Sequence, residues 1–226
     1  MRKLIPLLLL VAGFTGFGVA ALSVVSAAEP ALPYRAFAPV VANGDVVPTR
    51  TPLPLPTPTP EPKPYDGPVK SLSLQSARIP GSARVEQRAT EIIAGREVLQ
   101  QPAVPQDIAW YPDFGHPGFR ASNSLFAGHI DYVGIGKVVF GYLTSATIGD
   151  ALYVTMDNGQ EYAYTVKSVD IIHLSDLNMD EVVYPALDSY TDRVTLISCG
   201  GTFVPYPGGG GEYESRVILV AERYLP

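Results

Sequence analysis

Hydrophobic and polar residues alternate over short stretches in the C-terminal two-thirds of the chain. Ala151 to Met156 (ALYVTM) sets Leu152, Val154 and Met156 on one face, the period of a half-buried strand. Asp157-Asn158-Gly159 follows as a turn signal, and Gln160 to Val169 resumes as a second arm. Two such runs about a turn predict a hairpin. Val138 to Leu143, Arg193 to Cys199 and Ser215 to Tyr224 also read as strands, because β-branched and aromatic residues suit a pleated, half-buried surface. Helical periodicity is weak; the best candidate is Glu86 to Leu99, interrupted by Gly95. Many short strands separated by turns, with no internal repeat, predict an all-β fold closed or partly closed into a barrel.

The N-terminal segment is patterned differently. Behind Arg2 and Lys3 the chain runs from Leu4 to Ala28 without a charge. That exceeds the roughly 20 residues a helix needs to cross a bilayer, and the preceding positive charges keep the N-terminus cytoplasmic. The expectation is a signal anchor over residues 1–28, with a signal peptide cleaved near Ser26-Ala27-Ala28 as the alternative. Both readings place the rest of the chain outside the cytoplasm, the first as a single-pass protein of the cell membrane. Residues 29–70 read as a linker, since 12 of the 22 prolines fall between Pro30 and Pro68. Proline removes backbone donors and favours extended polyproline II, a semi-rigid spacer of about 3 Å per residue. The folded domain is then expected over residues 71–226.

Charge narrows the partners. From Ser71 onward there are 10 Lys and Arg against 18 Asp and Glu, a net charge of −8. Phosphate binding needs clustered basic charge, so a nucleic-acid partner is not expected. Cysteine usage is sharper. An exported chain with one cysteine, Cys199, has no internal disulfide; its thiol is buried as a small hydrophobe, paired between chains, or reactive.

The surroundings of Cys199 favour reactivity. It ends the strand pattern Val194 to Cys199, and Gly200-Gly201 follows at once. A glycine-rich connection with Gly208 to Gly211 leads to the strand that Ser215-Arg216 opens. Paired as a hairpin, these strands bring Arg216 near Cys199, where a guanidinium favours the thiolate and supplies donors to a developing oxyanion. The bland reading of Arg216 is a surface charge paired with Glu212 or Glu214. A cysteine nucleophile needs an acid/base partner, most often histidine. His129 ends an apolar run after Gly128, His116 sits in a Pro/Gly-rich loop, and His173 lies at a strand edge. Spacing favours His129 and leaves structural roles for the other two.

These segments resemble a known family. Thr195-Leu196-Ile197-Ser198-Cys199 is similar to the sortase signature TLxTC, with Ser198 for the second Thr. Ala127-Gly128-His129 resembles the family's histidine segment, and Tyr213 to Val220 its arginine strand. Further matches at Trp110-Tyr111, Pro117-Gly118, Gly149-Asp150 and Cys199 to Phe203 look most like class F sortases and their relatives. The resemblance spans about residues 75–224. It implies an eight-stranded β-barrel and a cysteine transpeptidase cleaving an LPxTG-like sorting motif through a thioacyl-enzyme. In that scheme Cys199 is the nucleophile, His129 the general acid/base, and Arg216 holds substrate and stabilises the oxyanion. Implied partners are surface proteins with a C-terminal sorting motif and an amine from a wall precursor or pilin; water in its place gives hydrolysis. No cofactor or metal is expected. Some sortases bind calcium through acidic loops, and Asp170, Asp176, Asp180 and Glu181 are oxygen donors of the right kind, but scattered acids on a loop are usually solvated. Two other readings are an L,D-transpeptidase-like wall enzyme, whose histidine-serine-glycine-cysteine cluster is absent here, and a non-catalytic surface barrel.

Overall fold

The structure, a computed structural model, describes residues 63–225. The expected membrane segment and most of the linker lie outside the described residues. Twelve strands are present among them: β1 Val69–Leu74, β2 Val85–Gln87, β3 Thr90–Ile93, β4 Arg96–Leu99, β5 Ile108–Tyr111, β6 Ser122–Ala127, β7 Asp131–Tyr132, β8 Gly136–Lys137, β9 Ala151–Met156, β10 Glu161–His173, β11 Thr191–Pro205 and β12 Gly211–Tyr224. One short helix, α1, covers Met179–Val183. Eight strands form a single sheet in the order β1-β9-β10-β12-β11-β6-β5-β2. A bridge between Ser71 and Arg84 brings its two ends together, so the sheet is an almost closed barrel, which removes most of the exposed edge that an open sheet would carry. The first strand starts at Val69, and Tyr65 already packs on the core, slightly ahead of the expected domain start at 71.

The β9–β10 hairpin forms as expected about Asp157-Asn158-Gly159, with Tyr162 opposite Val154. Two expectations are corrected. Glu86 to Leu99 is not a helix but β2 followed by the β3–β4 hairpin. Ala94 and Gly95 take φ of 51° and 77°, and two successive left-handed residues make a tight hairpin turn that a helix cannot contain. Val138 to Leu143 is not a strand but a chain of turns: Gly141 donates to the Val138 carbonyl and Leu143 to that of Phe140. This lets Phe140 and Leu143 both enter the barrel core, where strand alternation would have sent successive side chains to opposite faces.

Alternation along β11 divides the core in two. Val194 and Leu196 point into the barrel with Leu72, Trp110, Phe126 and Leu219. Ile197 and Cys199 belong to a second cluster on the outer face, with Leu125, Ala127 and Ile218. That cluster is capped by α1, whose Met179 and Val183 are buried one helical turn apart on a common face. A strand of a barrel usually needs only one apolar face; β11 buries both, so its outer face is covered as well.

Candidate active site

Three adjacent strands meet at the site. β11 and β12 are antiparallel, and Cys199 stands opposite Arg216. β6 runs parallel to β11, with Ala127 beside Ile197, and the ladder extends to Gly128, whose N–H donates to the Ile197 carbonyl at 3.2 Å. The β6–β11 pairing ends at Ala127 and Ile197, two residues short of both His129 and Cys199. Alternation from Leu125 and Ala127 turns His129 to the outer face. Gly128 instead faces inward, where a Cβ would meet the Phe140 ring at 2.8 Å. On the other side of β12, Ile172 of β10 stands opposite Arg216. Ile172, Arg216 and Cys199 thus form one row across three neighbouring strands, and His129 follows two residues past the end of the fourth, β6. Of the three residues expected to act together, Cys199 and Arg216 stand opposite one another.

Cys199 is not at a strand end as expected. β11 continues through Gly200 and Gly201 to Pro205, with an irregularity between Gly200 and Phe203. Gly201 adopts φ 76°, and a Cβ there would lie 2.6 Å from the Ser215 hydroxyl; this irregularity opens the ladder just past the thiol. Beside Cys199 is a cavity of about 180 Å³ bounded by Ile130, Lys137, Phe140, Gly201 and Val217. A larger cavity of about 870 Å³ lies elsewhere, along Ser73 to Gly81 and Asp150 to Tyr153, and is lined by no cysteine or histidine.

All three side chains are removed from solvent: Cys199 is 0%, His129 2% and Arg216 1% exposed. Burial pushes the Cys199 thiol up to about 12; Arg216 opposes this, while Glu212 and Asp131 add to it. Burial also lowers His129 below the ordinary histidine value, against the pull of Asp131. Both shifts favour the neutral thiol and neutral imidazole at rest. One carboxylate, Asp131, acts on both groups, and its Oδ2 accepts the Tyr213 hydroxyl proton at 2.6 Å.

Arg216 is not the surface charge of the bland reading. Its guanidinium donates to the carbonyls of Tyr213 and Ser215, each at 3.0 Å, and pairs with Glu212 at 3.1 Å. A buried cation held this way keeps its charge and a fixed direction. The other histidines take structural or surface positions. His116 packs edge-on against Trp110, 5.1 Å between centroids. His173 is exposed and meets the Ser175 hydroxyl at 2.8 Å. Of the acids considered for calcium, Asp176 accepts from Ser175 and Glu181 from Asn178.

Residues 80–224 match the Sortase domain family. This chain belongs to the sortase family. Among solved structures, the sortase is similar to Sortase A from Corynebacterium diphtheriae, at 19% identity over 71% of this chain and 63% of that one, TM-score 0.48. It is also similar to the SrtA sortase from Actinomyces oris, at 16% identity over 73% and 84%, TM-score 0.49. A third is the Clostridium perfringens Sortase D5 transpeptidase, at 15% identity over 69% and 78%, TM-score 0.47. The sortase spans less than two thirds of the Corynebacterium chain. No curated protein matches it.

The Ser198 departure from the family signature has a visible function in the sortase fold. Its hydroxyl donates to the Gly128 carbonyl at 2.8 Å, fully buried, so it ties β11 to the residue before His129. Ser198→Ala is expected to destabilise the sortase by about 1–2 kcal/mol, since the carbonyl loses its buried donor. A urea midpoint within error of wild type would contradict this. Glu212 was expected only as a surface partner of Arg216, and the positions of Asp131 and Tyr213 were not anticipated; the one sequence signal was an aspartate two residues beyond the histidine, hence on the same face of an extended segment.

Proposed function

We propose that this sortase is a cysteine transpeptidase that cleaves an LPxTG-like sorting motif and transfers the acyl part to an amine. The observation that supports it is the cross-strand pair of Cys199 and Arg216 on a covered face, with His129 two residues past the end of β6, the strand that pairs with β11 on its other side. In this reading the Cys199 proton passes to His129 as the sulfur attacks the Thr carbonyl of the motif. Arg216 N–H groups stabilise the oxyanion. His129 then gives its proton to the leaving amine as the C–N bond breaks, and a thioester remains on Cys199. An incoming amine attacks that thioester, His129 takes its proton, and the C–S bond breaks to return the thiol.

An extended peptide would run along this face. Beyond the Cys199–Arg216 pair, the same face continues as Ile197 and Ile218. It then reaches a cavity of about 210 Å³ lined by Ile218, Val220, Leu177 and Val182 together with the charged Asp176, Glu181 and Arg193. Apolar residues preceding the scissile bond would be desolvated there, at about 25 cal/mol per Å² buried. Substrates would be surface proteins ending in the motif, and acceptors an amine of a wall precursor or pilin. A membrane anchor over residues 1–28 belongs to the same proposal, as does the finer likeness to class F sortases.

The test is a transfer assay on the full chain in detergent, with a library of sorting-motif peptides and a glycine-based or lysine-based amine. The expected result is cleavage within the motif, an amide product, and a thioacyl adduct on Cys199 by mass spectrometry. No cleavage and no adduct across the library would overturn the proposal.

A further inference from the structure

We propose that Arg78 and Lys137 form the acceptor subsite of this sortase and select an amine that carries a carboxylate. The inference rests on the transpeptidase reading above and names the chemistry of its second substrate. The acyl group waits on the Cys199 sulfur, so the incoming amine must approach from the side that the sorting motif leaves open. The two cavities near the thiol differ in their place along β11. The one of about 210 Å³ is lined by Arg193 and Thr195, ahead of the thiol. The one of about 180 Å³ is lined by Cys199 itself with Gly200 and Gly201, at and beyond it. With the motif along the first, the second is where the leaving amine departs and the acceptor amine enters.

Lys137 lines that second cavity. Its stem lies against Gly141, where a Cβ would come within 2.8 Å of the Lys137 Cβ, so the glycine lets the lysine sit close to the cavity wall. The Lys137 Nζ stands 4.3 Å from the centroid of the Tyr142 ring, and the Arg78 guanidinium carbon stands 4.2 Å from the same centroid. The two cationic centres are therefore no further apart than those two distances together, a separation that one carboxylate can bridge. Arg78 in turn lines the cavity of about 870 Å³. One chain segment borders both spaces, with Lys137, Gly141 and Thr144 on the smaller and Asp150 and Ala151 on the larger. An acceptor can thus set its amine at the thioester and its acidic group at Tyr142. The turn that carries Arg78 is tightly held: its φ is 55°, its N–H donates to the Gln75 carbonyl at 3.0 Å, and Leu74 and Ile79 bridge across it. A left-handed position is costly for a residue with a Cβ, yet here it bears the arginine.

The pair has no anion of its own. Among the described residues neither Arg78 nor Lys137 makes an ion pair. Two neighbouring carboxylates are engaged elsewhere. Asp131, opposite Lys137 in the β7–β8 hairpin, accepts the Tyr213 hydroxyl at 2.6 Å. Asp150, in the cavity of Arg78, accepts the Thr147 N–H at 2.7 Å and its hydroxyl at 3.0 Å. Two cations gathered on one ring repel each other until an anion lies between them. The acceptors of the transpeptidase reading are peptide amines, and the anion a peptide carries is a carboxylate, which fits the guanidinium fork.

The test is aminolysis of the thioacyl-enzyme formed by the full chain in detergent, using acceptors that differ only in charge. Triglycine is compared with triglycinamide, and Nα-acetyl-lysine with its amide, at equal concentrations of unprotonated amine. For the amine type that is accepted, kcat/KM should favour the carboxylate form by about three- to fivefold, the range of a partly exposed ion pair. The preference should shrink as salt rises. Lys137→Gln and Arg78→Gln should each bring the ratio toward one, and Lys137→Glu should invert it. Damage to packing alone would slow both members of a pair alike and leave the ratio where it was. Equal rates for charged and neutral acceptors in the wild type, or a ratio that survives these substitutions, would overturn the inference. Wild-type protein that forms no thioacyl-enzyme would instead refute the transpeptidase reading itself.

Discussion

Cys199→Ala should abolish peptide cleavage and amine transfer, with a loss of at least about 10³-fold and a protein that still folds. The sulfur is the only group in the row able to form the covalent intermediate; the imidazole and guanidinium without it offer positioning and an oxyanion donor, which in other acyl-transfer enzymes leave a small residual rate. The loss is chemical and not structural, because the thiol makes no tertiary hydrogen bond that alanine would orphan. It sits among Ile197, Ala127, Tyr213 and Ile218, and alanine removes one buried heavy atom, a change of about 1 kcal/mol. Cys199→Ser keeps the volume and should be almost as inactive, since a buried hydroxyl is a far weaker nucleophile at neutral pH than a thiolate. Paired circular-dichroism melts and turnover assays would separate the two effects. Turnover within tenfold of wild type in folded Cys199→Ala would remove Cys199 from the mechanism.

The fold was legible where local pattern and tertiary role coincide. The β9–β10 hairpin has both alternating arms and a turn at its centre, so each level of the sequence agrees with the next. It failed at residues 86–99, where charged and apolar residues mix at helical spacing while Ala94 and Gly95 turn the chain. It failed again at 138–143, where apolar residues in succession look like a buried strand but serve as a plug in the barrel. The site was half-legible. Cys199 and Arg216 face one another across a hairpin, whose register follows from continuous pairing of neighbouring strands. His129 reaches them through a parallel pairing of β6 with β11, about 70 residues apart, which no local pattern encodes. The burial of Arg216 was hidden for a similar reason: Glu212 is close in sequence, but whether the outer face of β12 is covered depends on segments from elsewhere in the chain. Asp131 and Tyr213 were invisible as a pair until the fold placed them together.

His129→Ala carries the second large effect, a fall in kcat/KM of about 10²–10⁴, the range that a positioned acid/base contributes. The pH profile distinguishes this role from a merely structural one. Burial lowers the His129 value, so in the free wild-type enzyme the base is lost as pH falls through a value below about 6.5, the unperturbed histidine. The thiol is pushed up to about 12, so no alkaline fall is expected until far above neutrality. Between these limits the profile is a plateau, in which the reactive thiolate–imidazolium form is a constant minority of the resting pair; the two apparent values belong to the pair as a unit. Removing the imidazole should erase the acid limb and make the residual rate rise steadily with pH, as the thiolate forms without its base. Added imidazole should restore part of the activity at a rate that depends on its own neutral fraction, if it enters the space left by the ring and acts on Cys199 as the proposal requires. An acid limb that survives His129→Ala would assign it to another group, and His129 would then be a buried ring that packs on Tyr132 and carries no proton.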